Sequence, residues 1–114
     1  MIFYDINADD KLGRRIPKVP SHLKPDGRPS SAAFKPKPNE DGLSVEIMAL
    51  CSPVFAVRDS TKNALALFLA PTETCECLHD PVPESNAHAL VKGITKSISK
   101  QLANNCTMLF VDVE

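Results

Sequence analysis

The fold predicted for this chain is a single α+β domain with a small sheet, about two helices and an extended, proline-rich basic arm near its start. Three observations predict it. The chain has 114 residues, enough for one compact core and not two. Short apolar segments with period-two alternation are interspersed with one stretch of clear helical spacing. Residues 11–38 hold six of the ten prolines and eight of the 13 cations, so the chain divides into an arm (11–38) and an α+β core (43–114).

Taken in order, Met1 to Ile6 reads as a short edge strand. The 11–38 stretch reads as extended chain with turns, Pro25-Asp26-Gly27 being the clearest. Proline fixes φ and removes a backbone donor, which argues against a helix or central strand there. Asn39 to Gly42 forms a turn. In Leu43 to Leu50, the residues Leu43, Val45 and Ile47 alternate with Ser44 and Glu46, the pattern of a half-buried strand. Pro53 breaks the chain, and Val54 to Val57 reads as a second short strand. Asp59 and Ser60 are helix-capping types ahead of Thr61 to Ala70, which reads as a short buried helix closed by Pro71. Thr74 to Leu78 and His88 to Val91 read as strands, with an extended turn at Asp80-Pro81-Val82-Pro83. Gly93 opens the clearest helix: Ile94, Ile98 and Leu102 form one stripe, and Asn104-Asn105 ends it. Thr107 to Val113 reads as a final strand.

Charge is segregated. Lys11, Arg14, Arg15, Lys18, Lys24, Arg28, Lys35 and Lys37 face only Asp26 within residues 11–38, a balance of +7, which leaves −8 for the remainder. Spaced cations on an extended chain can follow a phosphate backbone, so nucleic acid is a possible partner of this stretch. The competing reading lays the arm across the acidic remainder of its own domain. Phe34 is the only aromatic residue there, which gives little support for base stacking. No apolar run is long enough for a transmembrane helix, so no membrane partner is expected. The first ten residues carry three aspartates and no basic cluster, unlike a secretory signal, and a cytoplasmic location is expected.

With no export signal, Cys51, Cys75, Cys77 and Cys106 are read as reduced thiols. Cys75, Cys77 and His79 would share one face of a strand, a spacing open to a metal but equally to buried small side chains. The usual zinc spacing and a second ligand pair are lacking, so no metal and no cofactor is assigned.

The chemistry-bearing residues cluster in His79 to His88. In a catalytic scheme, His88, His79 and His22 supply a general base and a general acid, and Asp80 or Glu84 orients an imidazole. Arg14 or Arg15 binds phosphate. In the alternative, the same segment is a rigid loop whose histidines bond to backbone carbonyls. Gly93-Ile94-Thr95-Lys96-Ser97 lacks the full phosphate-loop spacing, although Lys92 and Lys96 flank a helix start that can bind an anion. Ser30 and Ser31 lie in no nucleophile motif.

Arg15-Ile16-Pro17, Pro29-Ser30-Ser31-Ala32-Ala33-Phe34, Leu43-Ser44-Val45, Asp80-Pro81-Val82-Pro83 and Ala87-His88-Ala89 occur in this order. The layout resembles that of a group of small bacterial hypothetical proteins of similar length, over residues 14–104. Asn86-Ala87-His88 is one residue shorter than the group's usual form, and Cys75 and Cys77 lie outside its pattern. The resemblance implies no activity. It directs attention to Ser31, Phe34, Asp80, Pro81, Asn86 and His88, and to docking of the serine pair and Phe34 against the Asp80–His88 loop. The expected binding residues are therefore Arg14, Arg15, Arg28, Ser30, Ser31, Phe34, Asn86, Lys92 and Lys96. The leading expectation is a small non-enzymatic interaction module. It would be an accessory of a larger bacterial system, defence-related or handling nucleic acid, with another protein of that system as partner. The alternative is a small histidine-dependent hydrolase acting on a phosphodiester or related anion.

Overall fold

The computed structural model describes residues 3–111. Six strands form one antiparallel sheet: β1 (Lys11–Pro17), β2 (Leu43–Ile47), β3 (Asn63–Leu69), β4 (Glu76–His79), β5 (His88–Lys92) and β6 (Thr107–Leu109). Their order is β4-β5-β2-β1-β3-β6. Two α-helices, α1 (Pro53–Val57) and α2 (Lys96–Asn105), and two short 3₁₀ turns complete the α+β fold.

The basic stretch does not stay outside the sheet. Lys11–Pro17 is an interior strand, hydrogen-bonded to β2 on one side and to β3 on the other. The first proline of the stretch is Pro17, at the strand's end, so six proline-free residues precede it and pair without losing a donor. The remainder of the stretch runs as turns, with a 3₁₀ turn at Ser31–Phe34.

Two further expectations are exchanged. Val54–Val57 is helical because Ser52-Pro53 starts a helix rather than breaking a strand: Ser52 Oγ accepts the Phe55 N–H at 3.2 Å, and proline occupies the first turn. Thr61–Ala70 holds β3 instead of a helix. Asp59 caps a turn, its Oδ1 accepting from Thr61 N–H and Oγ1–H, and the apolar run after it is a strand with Ala64, Leu65 and Ala66 all buried. A strand covered on both faces loses its alternation and cannot be told from a buried helix by periodicity. No strand is assigned to Phe3–Ile6, while Met1 and Ile2 lie outside the described residues. Helix α2 begins at Lys96 under the Thr95 cap, later than Gly93, whose φ of 91° suits glycine. The last strand ends at Leu109, and the rest of its expected span reaches beyond the described residues at Asp112 and Val113.

Parity assigns the sheet's faces. Leu12, Ile16, Leu43, Val45, Ile47, Ala89 and Val91 enter the main core with Phe34, Phe68, Leu102 and Ala103. The rings of Phe34 and Phe68 meet edge to face at 5.9 Å. The 3₁₀ turn and α2 cover this face. On the other face, Ala56 and Val57 of α1 pack on Leu65, closing the β1–β3 side. The side chains of Ser44, Glu46, His88 and Leu90 occupy the rest of that second face.

Candidate anion-binding cleft

Two rows of side chains cross the second face. Glu46 stands opposite His88 in register on one side and Gly13 on the other. Leu90 stands opposite Ser44 and Leu78. Gly13 keeps the sheet centre low: a Cβ there would lie 2.8 Å from Met48 Sδ. The result is an open cleft of about 480 Å³ lined by Arg15, Ser44, Glu46, Arg58, Val82, Glu84 and His88.

Glu46 is the cleft's organising charge. Its residue is only 3% exposed. Ser85 Oγ donates to Oε2 at 2.6 Å and in turn accepts the Ala87 N–H at 3.2 Å. On the other oxygen, Arg15 Nη1 donates to Oε1 at 3.3 Å, and Arg58 Nη2 lies 3.7 Å away. Arg15 Nη1 also donates to the Ala56 carbonyl, which ties it to α1. Both contacts to Oε1 are longer than the ~2.8 Å of a tight charge-assisted bond. Each arginine side chain is 37% exposed, so both guanidinium groups keep donors turned to solvent.

Arg58 reaches the cleft from an uncommon backbone position. It caps α1 at φ 65° and ψ −86°, the one non-glycine residue with positive φ among the described residues. Its guanidinium stacks 4.9 Å over the Phe55 ring. Such backbone costs about 1–3 kcal/mol and concentrates at functional sites.

His88 forms the cleft's far wall. Its Nδ1 lies 2.8 Å from the Asp80 carbonyl oxygen and 3.3 Å from Asp80 Oδ2. A carbonyl only accepts, so Nδ1 carries the proton. His79 faces the other way. It pairs in register with Ala89, a residue of the main core, whereas His88 pairs with Glu46. The His79 ring is engaged at both nitrogens, with Nδ1 accepting Tyr4 N–H at 2.7 Å and Nε2 donating to the Asn86 carbonyl at 2.7 Å. His22 bonds to Ser21 and does not line the cleft. The three histidines therefore form no common site: strand alternation puts His79 and His88 on opposite faces, and His22 lies in a turn outside the strands.

Several expected binding residues serve the fold instead. Phe34 is fully buried in the core and offers no surface to a partner. The Ser31–Phe34 turn lies on the α2 face, where Arg14 Nε donates to Ala33 O at 3.0 Å and Nη1 to Ser44 O at 2.9 Å. It therefore does not dock on the His88 side, which is the opposite face of the sheet. Burial holds the Arg14 guanidinium below its ordinary pKa. Arg28 Nη2 donates to the carbonyls of Ala103, Asn104 and Cys106, capping the C-terminal end of α2. Ser30 Oγ donates to the Ser21 carbonyl. Asn86 is exposed and supplies its carbonyl to His79. Lys92 lies on β5 in register with Glu76, and Lys96 is exposed on the first turn of α2.

All four cysteines are free thiols. Cys75 and Cys77 pack against the main core, and burial together with the neighbouring Cys75 pushes the Cys77 thiol up to about 11. Among the described residues, no group of three His, Cys, Asp or Glu side chains is placed to hold a metal ion. No helix among them is long and apolar enough to cross a membrane.

Of the cleft residues, the sequence points to Arg15 and His88, and to Glu84 as an orienting group, but not to Glu46, Arg58 or Ser44, nor to Ser85 beneath them. The signal for Ser44 and Glu46 lay in the alternation of β2, which puts both on the face away from Val45. Arg58 carries no local signal, since its direction comes from a left-handed backbone. The chain matches no protein-family model, no curated protein and no solved structure.

Proposed function

We propose that this chain is a small non-enzymatic interaction module, a cytoplasmic accessory of a larger bacterial system, that receives an anionic group of a partner protein in the Arg15–Arg58 cleft. One observation carries the reading. Two arginines from separate elements converge on a single buried carboxylate with long contacts and keep donors free at an open surface. A carboxylate that is 3% exposed cannot leave, so it holds both cations in place without satisfying them.

The fate of the other cations supports a protein partner over nucleic acid. Of the eight in residues 11–38, Arg14, Lys18 and Arg28 donate to backbone carbonyls of the fold. A phosphate-tracking arm needs its charges free along its length. A histidine-dependent hydrolase would have His88 as its one histidine at the cleft, because His79 lies across the sheet and His22 does not line it. Ser85 donates to Glu46 and is only 3% exposed, so its hydroxyl lies out of reach of a substrate in the cleft.

Thermal unfolding tests the reading. Sodium acetate is added at constant ionic strength, balanced with chloride. A binding cleft raises the midpoint of the natural protein and leaves that of an Arg58→Gln variant unmoved. Equal responses would overturn the proposal, as would hydrolysis of bis(p-nitrophenyl) phosphate that disappears on changing His88.

A further inference from the structure

Helix α1 covers the second face only over β1 and β3. Across β2, β5 and β4 that face has no helix above it, and its apolar residues there are Leu90 and Leu78, directly opposite one another. Leu78 is 39% exposed although it sits on a strand. The same row continues through Ser44, opposite Leu90, to Arg15 in the cleft. A positively charged end and an apolar end thus lie in line, perpendicular to the strands.

Building on the anion-binding reading above, we infer that this row receives an extended acidic segment of a partner protein. One of its carboxylates lies between Arg15 and Arg58, and an apolar side chain lies on Leu78 and Leu90. Charge complementarity favours this occupant. The free donors belong to two adjacent arginines, which match a single carboxylate. Around them stand Glu84 on the rim, Asp80 behind His88, and Glu76 on the same face of β4 as Leu78. A polyanion such as nucleic acid would meet Glu84 and Asp80 beside the arginines, and at the β4 end a Glu76 that stands opposite Lys92.

Strand spacing sets the register of the partner. Arg15 and Leu78 are three inter-strand steps apart, about 14 Å, which an extended segment covers in roughly four residues. The partner's acidic and apolar residues are therefore about four positions apart.

The test is titration, followed by amide shifts, of a blocked hexapeptide with a leucine four positions before a glutamate and serine or threonine elsewhere. Controls are the glutamine and leucine-to-serine peptides, inorganic phosphate and a single-stranded oligonucleotide. The expected result is a perturbation confined to the row across β1, β2, β5 and β4 and to the end of α1 at Arg58. Affinity falls about tenfold for Leu78→Ser and at least as much for Arg58→Gln, in proteins whose remaining spectra are unchanged. Equal binding of the leucine-free peptide or of phosphate overturns the apolar half and leaves the cleft intact. Equal binding of the glutamine peptide overturns both readings. Tighter binding of the oligonucleotide, or a concentration-dependent dimer that covers Leu78, overturns the choice of partner.

Discussion

The Arg58 guanidinium lies 3.7 Å from Glu46 Oε1, and it reaches there from a residue whose φ is 65°. Glycine at this position would carry no Cβ penalty. Arg58→Gly is expected to be more stable than Arg58→Ala by about 1 kcal/mol, since both lose the guanidinium and only one keeps the strain. Urea unfolding of the two variants measures the difference. Equal midpoints would show that the loop relaxes when the guanidinium is removed.

Glu46→Ala removes the common partner of Arg15, Arg58 and Ser85. It leaves the Ser85 hydroxyl unsatisfied beneath the cleft and two cations facing each other. The expected cost is about 2 kcal/mol, below that of a fully buried ion pair because both arginines reach solvent. Denaturant unfolding reads it directly. A loss under about 0.5 kcal/mol, within the range of an ordinary surface change, would contradict the organising role of this carboxylate.

Arg28→Ala is expected to destabilise the domain by about 1–2 kcal/mol, through the three carbonyls that its guanidinium holds at the end of α2. Lysine should not restore the loss, because one ammonium cannot reproduce the planar fork. Hydrogen exchange in Leu102–Cys106 reports the effect locally. Unchanged protection there would return Arg28 to the surface.

Burial raises the Cys77 thiol from 9.0 to about 11, so folding favours its neutral form. The sign follows: this contribution is complete below 9.0 and is lost as pH climbs through about 11. Urea midpoints should therefore fall over this interval, and Cys77→Ala should flatten the fall. Within the native protein at pH 8, Cys77 should alkylate more slowly than a thiol in a short peptide, as mass spectrometry of the labelled fragments would show.

The parts of the fold legible in the sequence are those where one face is wet. Strand β2 shows its alternation because Ser44 faces the cleft, and β5 and the α2 stripe are read for similar reasons. The segment 63–69 is misread because its residues are buried on both sides, so the period-two signal vanishes. Val54–Val57 is misread because Pro53 ends one kind of element and begins another, and only the Ser52 cap decides which. At the site, Arg15 and His88 are legible as residue types. Their meeting is not, because it depends on strand order: β1 enters the sheet between β2 and β3, which puts Arg15 and Glu46 on neighbouring strands. The same parity separates His79 from His88, although nine positions in sequence bring them onto adjacent strands.

The central claim, that Arg15 and Arg58 together accept an external anion, is tested most directly by the arginine Nε–H resonances during an acetate titration at constant ionic strength. Arg14 and Arg28 serve as internal controls, since both are bonded to backbone carbonyls inside the fold. The account predicts saturable shifts at Arg15 and Arg58, with Arg14 and Arg28 unmoved. Uniform, non-saturating drift of all four, or silence at Arg15 and Arg58, would contradict it.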